Sequence, residues 1–240
     1  MLKRDLIAFA LSITLLVLCC TSAALRFAPA FSASGTGQRP VLILDAGHGG
    51  EDGGAVSAAG DKESDINLAI VLKLEQLLAF LGVETVLTRS ADVSIYDEGC
   101  DTLREKKVSD LKNRVELIQD TPNAMVISVH QNTFTDSRYR GAQVFFGSGD
   151  LSRQWGVSTQ ETLSAVLDPD NQRKAAGIPE HVYLFQHIDC PAILVECGFL
   201  SNGEEASLLL TGGYQRKIAV ALAGAYLHQL QMIPEPLGGD

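Results

Sequence analysis

From Pro40 onward, short and continuously apolar runs alternate with longer amphipathic stretches, which restricts the chain to folds in which helices cover a buried sheet. Val41, Leu42, Ile43 and Leu44 form an uninterrupted apolar run, as in a strand buried on both faces. Ile66, Ile70, Leu74, Leu77, Leu78 and Leu81 then recur at three- and four-residue intervals, giving one apolar stripe of a helix that Gly82 is placed to cap. Residues 83–87 are short and β-branched and predict a second strand. A polar loop over about 89–102 leads to a helix marked by Leu111, Val115 and Ile118 and closed by Pro122. Strands are expected at 125–129, 142–146 and 192–195, and helices at 155–167 and 214–230. The fold class is therefore α/β: one domain on a twisted, mostly parallel sheet with helices on both faces. At 46% hydrophobic and 20% charged residues the chain can fill such a core, and it shows no internal repeat.

The first forty residues lie apart from this pattern. Lys3 and Arg4 precede an apolar run over residues 6–18, and Thr21, Ser22, Ala23 and Ala24 follow, the order of an export signal. Extended to Leu25 the run reaches about twenty residues, enough for a membrane anchor, so residues 1–27 are expected to be a cleaved signal peptide or a retained anchor. Leu18 stands where a lipidation signal needs a small residue, so Cys19 and Cys20 read as thiols of the apolar segment. Residues 28–39, rich in Ala, Ser, Gly and Pro, form a linker; 40–232 form the α/β domain and 233–240 a tail. The expected location is extracytoplasmic, secreted or membrane-anchored.

Nineteen Lys plus Arg against 29 Asp plus Glu give a net charge of -10 with no long basic run, which argues against nucleic acid as a partner. Cys100, Cys190 and Cys197 complete a set of five cysteines, too few for a disulfide scaffold. Cys190 and Cys197 bracket a strand whose rise of about 3.3 Å per residue would hold them too far apart for a bridge.

Ligands of open α/β sheets gather beyond the carboxyl ends of the strands. There the first strand leads into a glycine-rich turn containing His48, the third ends near His130, and the last ends near Glu196; Glu63 opens the first helix at the same edge. The glycine-rich turn lacks the endings and spacings of a nucleotide loop. Two imidazoles and a carboxylate suit zinc, and three protein ligands leave the fourth tetrahedral position open for catalysis. The ligands are then His48, His130 and one of the two glutamates, the other serving as general base and acid; spacing does not choose between Glu63 and Glu196.

The segments Leu44-Asp45-Ala46-Gly47-His48-Gly49-Gly50-Glu51-Asp52-Gly53-Gly54-Ala55, Lys62-Glu63, Ser128-Val129-His130-Gln131-Asn132 and Val195-Glu196-Cys197-Gly198-Phe199-Leu200-Ser201-Asn202 resemble, in order, motifs of the zinc-dependent N-acetylmuramoyl-L-alanine amidases of bacterial cell-wall metabolism. The resemblance spans about residues 41–227. It implies one zinc ion per chain held by His48, Glu63 and His130, with Glu196 as the catalytic glutamate. It also implies hydrolysis of the amide between the lactyl group of N-acetylmuramic acid and L-alanine, so the implied partner is a peptidoglycan glycan strand carrying its stem peptide. A single catalytic domain behind a hydrophobic segment, together with residues 110–118 and 196–202, looks most like the germination-specific amidases of spore-forming bacteria, which act in spore-cortex maturation before muramic δ-lactam forms. An activating partner protein is compatible with this reading. The competing readings are a zinc peptidase cutting within the stem and a non-catalytic wall-binding relative.

Around this core, Asn132, Arg89 and Arg114 are candidate substrate contacts, with loop support or structural pairing as the alternative for each. Arg138, Arg140, Arg173 and Lys174 are candidates for steering stem carboxylates past the acidic surface, against a solvated loop face. His181, His187 and His228 fall outside the motifs.

Overall fold

The computed structural model describes residues 39–233. The signal or anchor, Cys19, Cys20, all but the end of the linker, and tail residues 234–240 lie outside the described residues. Among those described, no helix is long and apolar enough to cross a membrane.

Six strands, β1 (Val41–Ala46), β2 (Thr85–Leu87), β3 (Ala124–Asn132), β4 (Gln143–Phe146), β5 (Ala176–Gly177) and β6 (Ala192–Phe199), form one sheet in the order β2-β1-β3-β6-β4-β5. β1, β2, β3 and β6 run parallel, and β4 is antiparallel to β6. The helices are α1 (Glu63–Phe80), α2 (Leu103–Gln119), α3 (Gly149–Leu167), α4 (Tyr183–Gln186), α5 (Gly203–Leu209) and α6 (Gly212–Met232). Alternate residues of the central strands enter two cores. Leu42, Leu44, Ile127, Val129, Ile193 and Val195 pack with α1, α3 and α6, while Ile43, Val126 and Leu194 pack with α2 and α4. Burial on both faces explains why β1 carries no polar alternation.

The element ends follow local chemistry. Gly82, at φ +75°, closes α1: its N–H donates to the Ala79 carbonyl at 3.0 Å and Val83 N–H donates to Leu78 at 2.9 Å, a Schellman motif. α2 begins at Leu103, within a turn of the expected loop's end and well before Leu111, because Thr102 and Glu105 form a reciprocal capping box. β3 and β6 run to Asn132 and Phe199, longer than their apolar runs, since sheet pairing carries them through His130 and Glu196. The two-residue β5, the single-turn α4 and the seven-residue α5 are too short to leave a periodic signature.

Candidate active site

β1 ends at Ala46 and the chain turns at once through Gly47 to His48, a non-glycine residue held at φ +61°. Two glycines make room here. A Cβ on Gly47 would stand 2.2 Å from the His130 ring, and one on Gly54 would stand 2.5 Å from Glu63 Oε2 and 2.7 Å from the His48 ring. The turn therefore closes down on all three side chains.

Glu63 lies between the two imidazoles. Its Oε1 is 2.9 Å from His130 Nδ1 and its Oε2 is 3.4 Å from His48 Nε2. Backbone N–H groups of Gln131 and Ala55 donate to the same carboxylate at 3.0 and 2.8 Å. One donor atom from each of His48, Glu63 and His130 falls within 4.8 Å of the others. Burial alone would raise the Glu63 pKa, but the hydrogen bonds from both histidines outweigh it and hold the carboxyl far below its ordinary range. His48 shows the converse: burial opposes its charge, yet Asp52 and Glu63 lift it to about 9. A negative field that retains protons on imidazoles also favours a divalent cation at the same point, so the donor set fits a metal ion.

Glu196 faces this cluster from β6, directly opposite His130 in the β3–β6 register. Its Oε2 is buried without a hydrogen-bond partner among the described residues. Burial raises its pKa to about 7; the Glu63 charge adds to the shift, while His130 and His48 oppose it. A buried carboxylate oxygen left unsatisfied is costly, so its place beside this cluster calls for a functional reason.

The sequence pattern of one protein family, N-acetylmuramoyl-L-alanine amidase, matches residues 42–227. The chain belongs to this family. Its activity is that of an N-acetylmuramoyl-L-alanine amidase acting on peptidoglycan. It is 35% identical over 185 residues to the germination-specific N-acetylmuramoyl-L-alanine amidase of Bacillus subtilis (strain 168), covering 76% of each chain. Among solved structures it resembles the CwlD amidase from Clostridioides difficile, in complex with the GerS lipoprotein, with 40% identity and a TM-score of 0.78, covering 81% of this chain and 100% of that one. The catalytic domain of CwlV from Bacillus (Paenibacillus) polymyxa matches with 26% identity and a TM-score of 0.65, over 80% and 98% of the two chains.

In this amidase Arg89 and Arg114, read from the sequence as substrate contacts or as paired structural arginines, have the surroundings of structural arginines. Arg89 is 3% exposed and donates to the carbonyls of Ala46, Gly47, Ser64 and Ala91. Arg114, 2% exposed, binds Asp45 at 2.5 Å and Asp110 at 2.8 Å and donates to the Ala46 and His48 carbonyls. Both guanidinium groups hold the backbone of the His48 turn through these carbonyls. Asn132 is half-buried at the end of β3, and its Oδ1 accepts the Thr133 N–H at 2.8 Å. His187 is stacked on Tyr183 and engages the Tyr183 carbonyl, away from the cluster. Cys100, Cys190 and Cys197 are free thiols.

Two supporting residues carried no role in the sequence reading. Asp52 accepts from His48 Nδ1 at 3.0 Å and is itself paired with Lys107 at 2.9 Å. Asn67, one helical turn beyond Glu63, donates to Glu63 Oε1 and to the Gly47 carbonyl, and accepts from Gln131. The four-residue spacings from His48 and from Glu63 are the signals that could have found them.

Proposed function

We propose that His48, Glu63 and His130 hold one zinc ion, and that Glu196 is the general base and acid in cleaving the amide between the lactyl group of N-acetylmuramic acid and L-alanine. The meeting of three donor atoms within 4.8 Å carries this reading. When bound, zinc supplies Lewis acidity toward the scissile carbonyl and the attacking water. Glu196 takes a proton from that water and returns it to the departing alanine nitrogen; a pKa near about 7 suits a group that must do both. Asp52 orients the His48 ring and Asn67 steadies the Glu63 carboxylate, each through the hydrogen bonds given above. Arg89 and Arg114 keep the turn in the shape that lets His48 approach.

The germination-specific relative and the CwlD amidase support action in spore-cortex maturation, ahead of muramic δ-lactam formation. The complex of the CwlD amidase with a lipoprotein supports an accessory partner for this chain as well. Residues 1–27 would carry the domain across the cytoplasmic membrane, as signal or anchor, with 28–39 as the tether.

The test is digestion of purified peptidoglycan with and without a chelator, followed by identification of the new amino terminus. Intact stem peptides beginning with L-alanine should appear, and should vanish with chelation. Glu196→Gln should keep bound zinc while turnover falls about 10²–10⁴-fold. New termini inside the stem would indicate a peptidase instead, and wild-type turnover by Glu196→Gln would remove Glu196 from the mechanism.

A further inference from the structure

His130, Glu196 and Gln143 form one row across three strands. Glu196 is the register partner of His130 on β3 and of Gln143 on β4, and directly opposed residues share a face of the sheet. At the far end of the row Gln143 holds Arg173: its Oε1 accepts from Arg173 Nη1 at 2.9 Å, and its Nε2 donates to the Lys174 carbonyl at 3.1 Å. Arg173 Nε donates to the Arg140 carbonyl at 2.9 Å, and the guanidinium lies 4.5 Å from the centre of the Phe199 ring and 5.7 Å from that of Tyr139. Stacking and two hydrogen bonds thus hold a half-buried cation in a set orientation.

This cation differs in pairing from its neighbours. Arg138 is paired with Asp136 and Arg140 with Asp168, whereas Arg173 forms no ion pair among the described residues. It lines a cavity of about 680 Å³ together with Tyr139, Arg140 and Asn171. Asp170, also on that wall, is exposed.

We propose that Arg173 is a specificity-determining residue of the amidase, receiving the carboxylate of the second stem residue and so laying the peptide half of the substrate toward the β4–β5 edge. The inference rests on the function proposed above. Its chemical basis is the asymmetry of the substrate: the lactyl carboxyl is consumed in the scissile amide, so carboxylates near the cleavage point lie on the peptide side. The lengths agree. Cross-strand spacing and one side-chain reach set Arg173 about 5–10 Å from Glu196, and an extended peptide rising about 3.3 Å per residue covers that span in two to three residues. With Nε and Nη1 engaged by Arg140 and Gln143, Nη2 is the nitrogen placed to donate a charge-assisted hydrogen bond to a carboxylate.

The experiment compares two muropeptides that differ only in whether the second stem residue's carboxylate is free or amidated. Wild-type enzyme should prefer the free acid by about 10–100-fold in kcat/KM, chiefly through KM. Arg173→Gln should bring the acid down to the level of the amide and leave the amide unchanged, while Arg173→Lys, keeping charge without the fork, should retain part of the preference. Absence of a wild-type preference, an equal loss on both substrates with Arg173→Gln, or a preference that survives that change overturns the assignment. If wild-type enzyme cleaves neither muropeptide, the proposed function itself fails, an outcome distinct from those that concern Arg173 alone.

Discussion

Asp52 shows how one side chain can support the proposed metal centre without belonging to its donor set. By accepting from His48 Nδ1 it fixes which ring nitrogen faces Glu63, and its own pairing with Lys107 keeps it from swinging away. Asp52→Ala should leave the fold intact and weaken zinc binding about 10–100-fold, read by competition with a chromophoric chelator. Unchanged affinity would mean that the packing of Gly54 against the ring is sufficient. Asp52 was visible in the sequence only as part of a glycine-rich motif, because its role depends on a turn whose backbone bends at His48. For Arg89 and Arg114 the sequence left open the choice between substrate contact and structural pairing. An arginine's destination, solvent or interior, is set by the carbonyls and carboxylates that other segments bring to it, and neither Asp45 nor the Ala46 carbonyl is near Arg114 in the chain.

At the level of elements, the site depends on the junction between β1 and the turn that follows it. Gly47 is the pivot: its missing side chain is what lets the His130 ring of β3 lie against β1's exit. Gly47→Ala would place a methyl 2.2 Å from His130 Cε1, so the ring must move. The expected outcome is loss of zinc binding and activity with native-like circular dichroism; retained zinc at wild-type stoichiometry would show that the turn can yield. Beneath the same junction, Asp45 on β1 accepts hydrogen bonds from Ser128 on β3, Thr88 after β2 and Arg114 on α2, tying four segments together. The alternation of strand and helix that makes this junction was legible in residues 41–81, since apolar periodicity reports directly on which faces are buried. The tie itself was not, because Asp45 sits inside an apolar strand and its partners come from three other places in the chain.

For the molecule as a whole, this buried tie makes a pH-dependent contribution to stability. Burial would raise the Asp45 pKa, but Arg114, His130 and Ser128 outweigh it and lower the value from 3.8 to about 2. A depressed folded-state pKa stabilises above the unfolded value, so the contribution is complete above about pH 4 and is lost as pH falls through about 2. It is on the order of 2 kcal/mol. Urea midpoints measured from pH 5 to pH 2 should fall with acid, and Asp45→Asn should lose part of that slope, while destabilising the protein at neutral pH by about 1–3 kcal/mol by removing one of the two carboxylates paired with the buried Arg114. An equally steep acid slope in the variant would assign it to other carboxylates. Sequence by itself determined the α/β class, the near-complete set of core strands and helices, and the four motif residues His48, Glu63, His130 and Glu196, because periodicity and motif chemistry are written locally. Tertiary structure alone decided that Glu196 stands opposite His130 with Gln143 beyond it, that Arg89 and Arg114 face inward, and that Arg173 lies at the end of the row. Those facts follow from the strand order β2-β1-β3-β6-β4-β5, in which neighbours in space are far apart in the chain, and no local signal encodes such pairings.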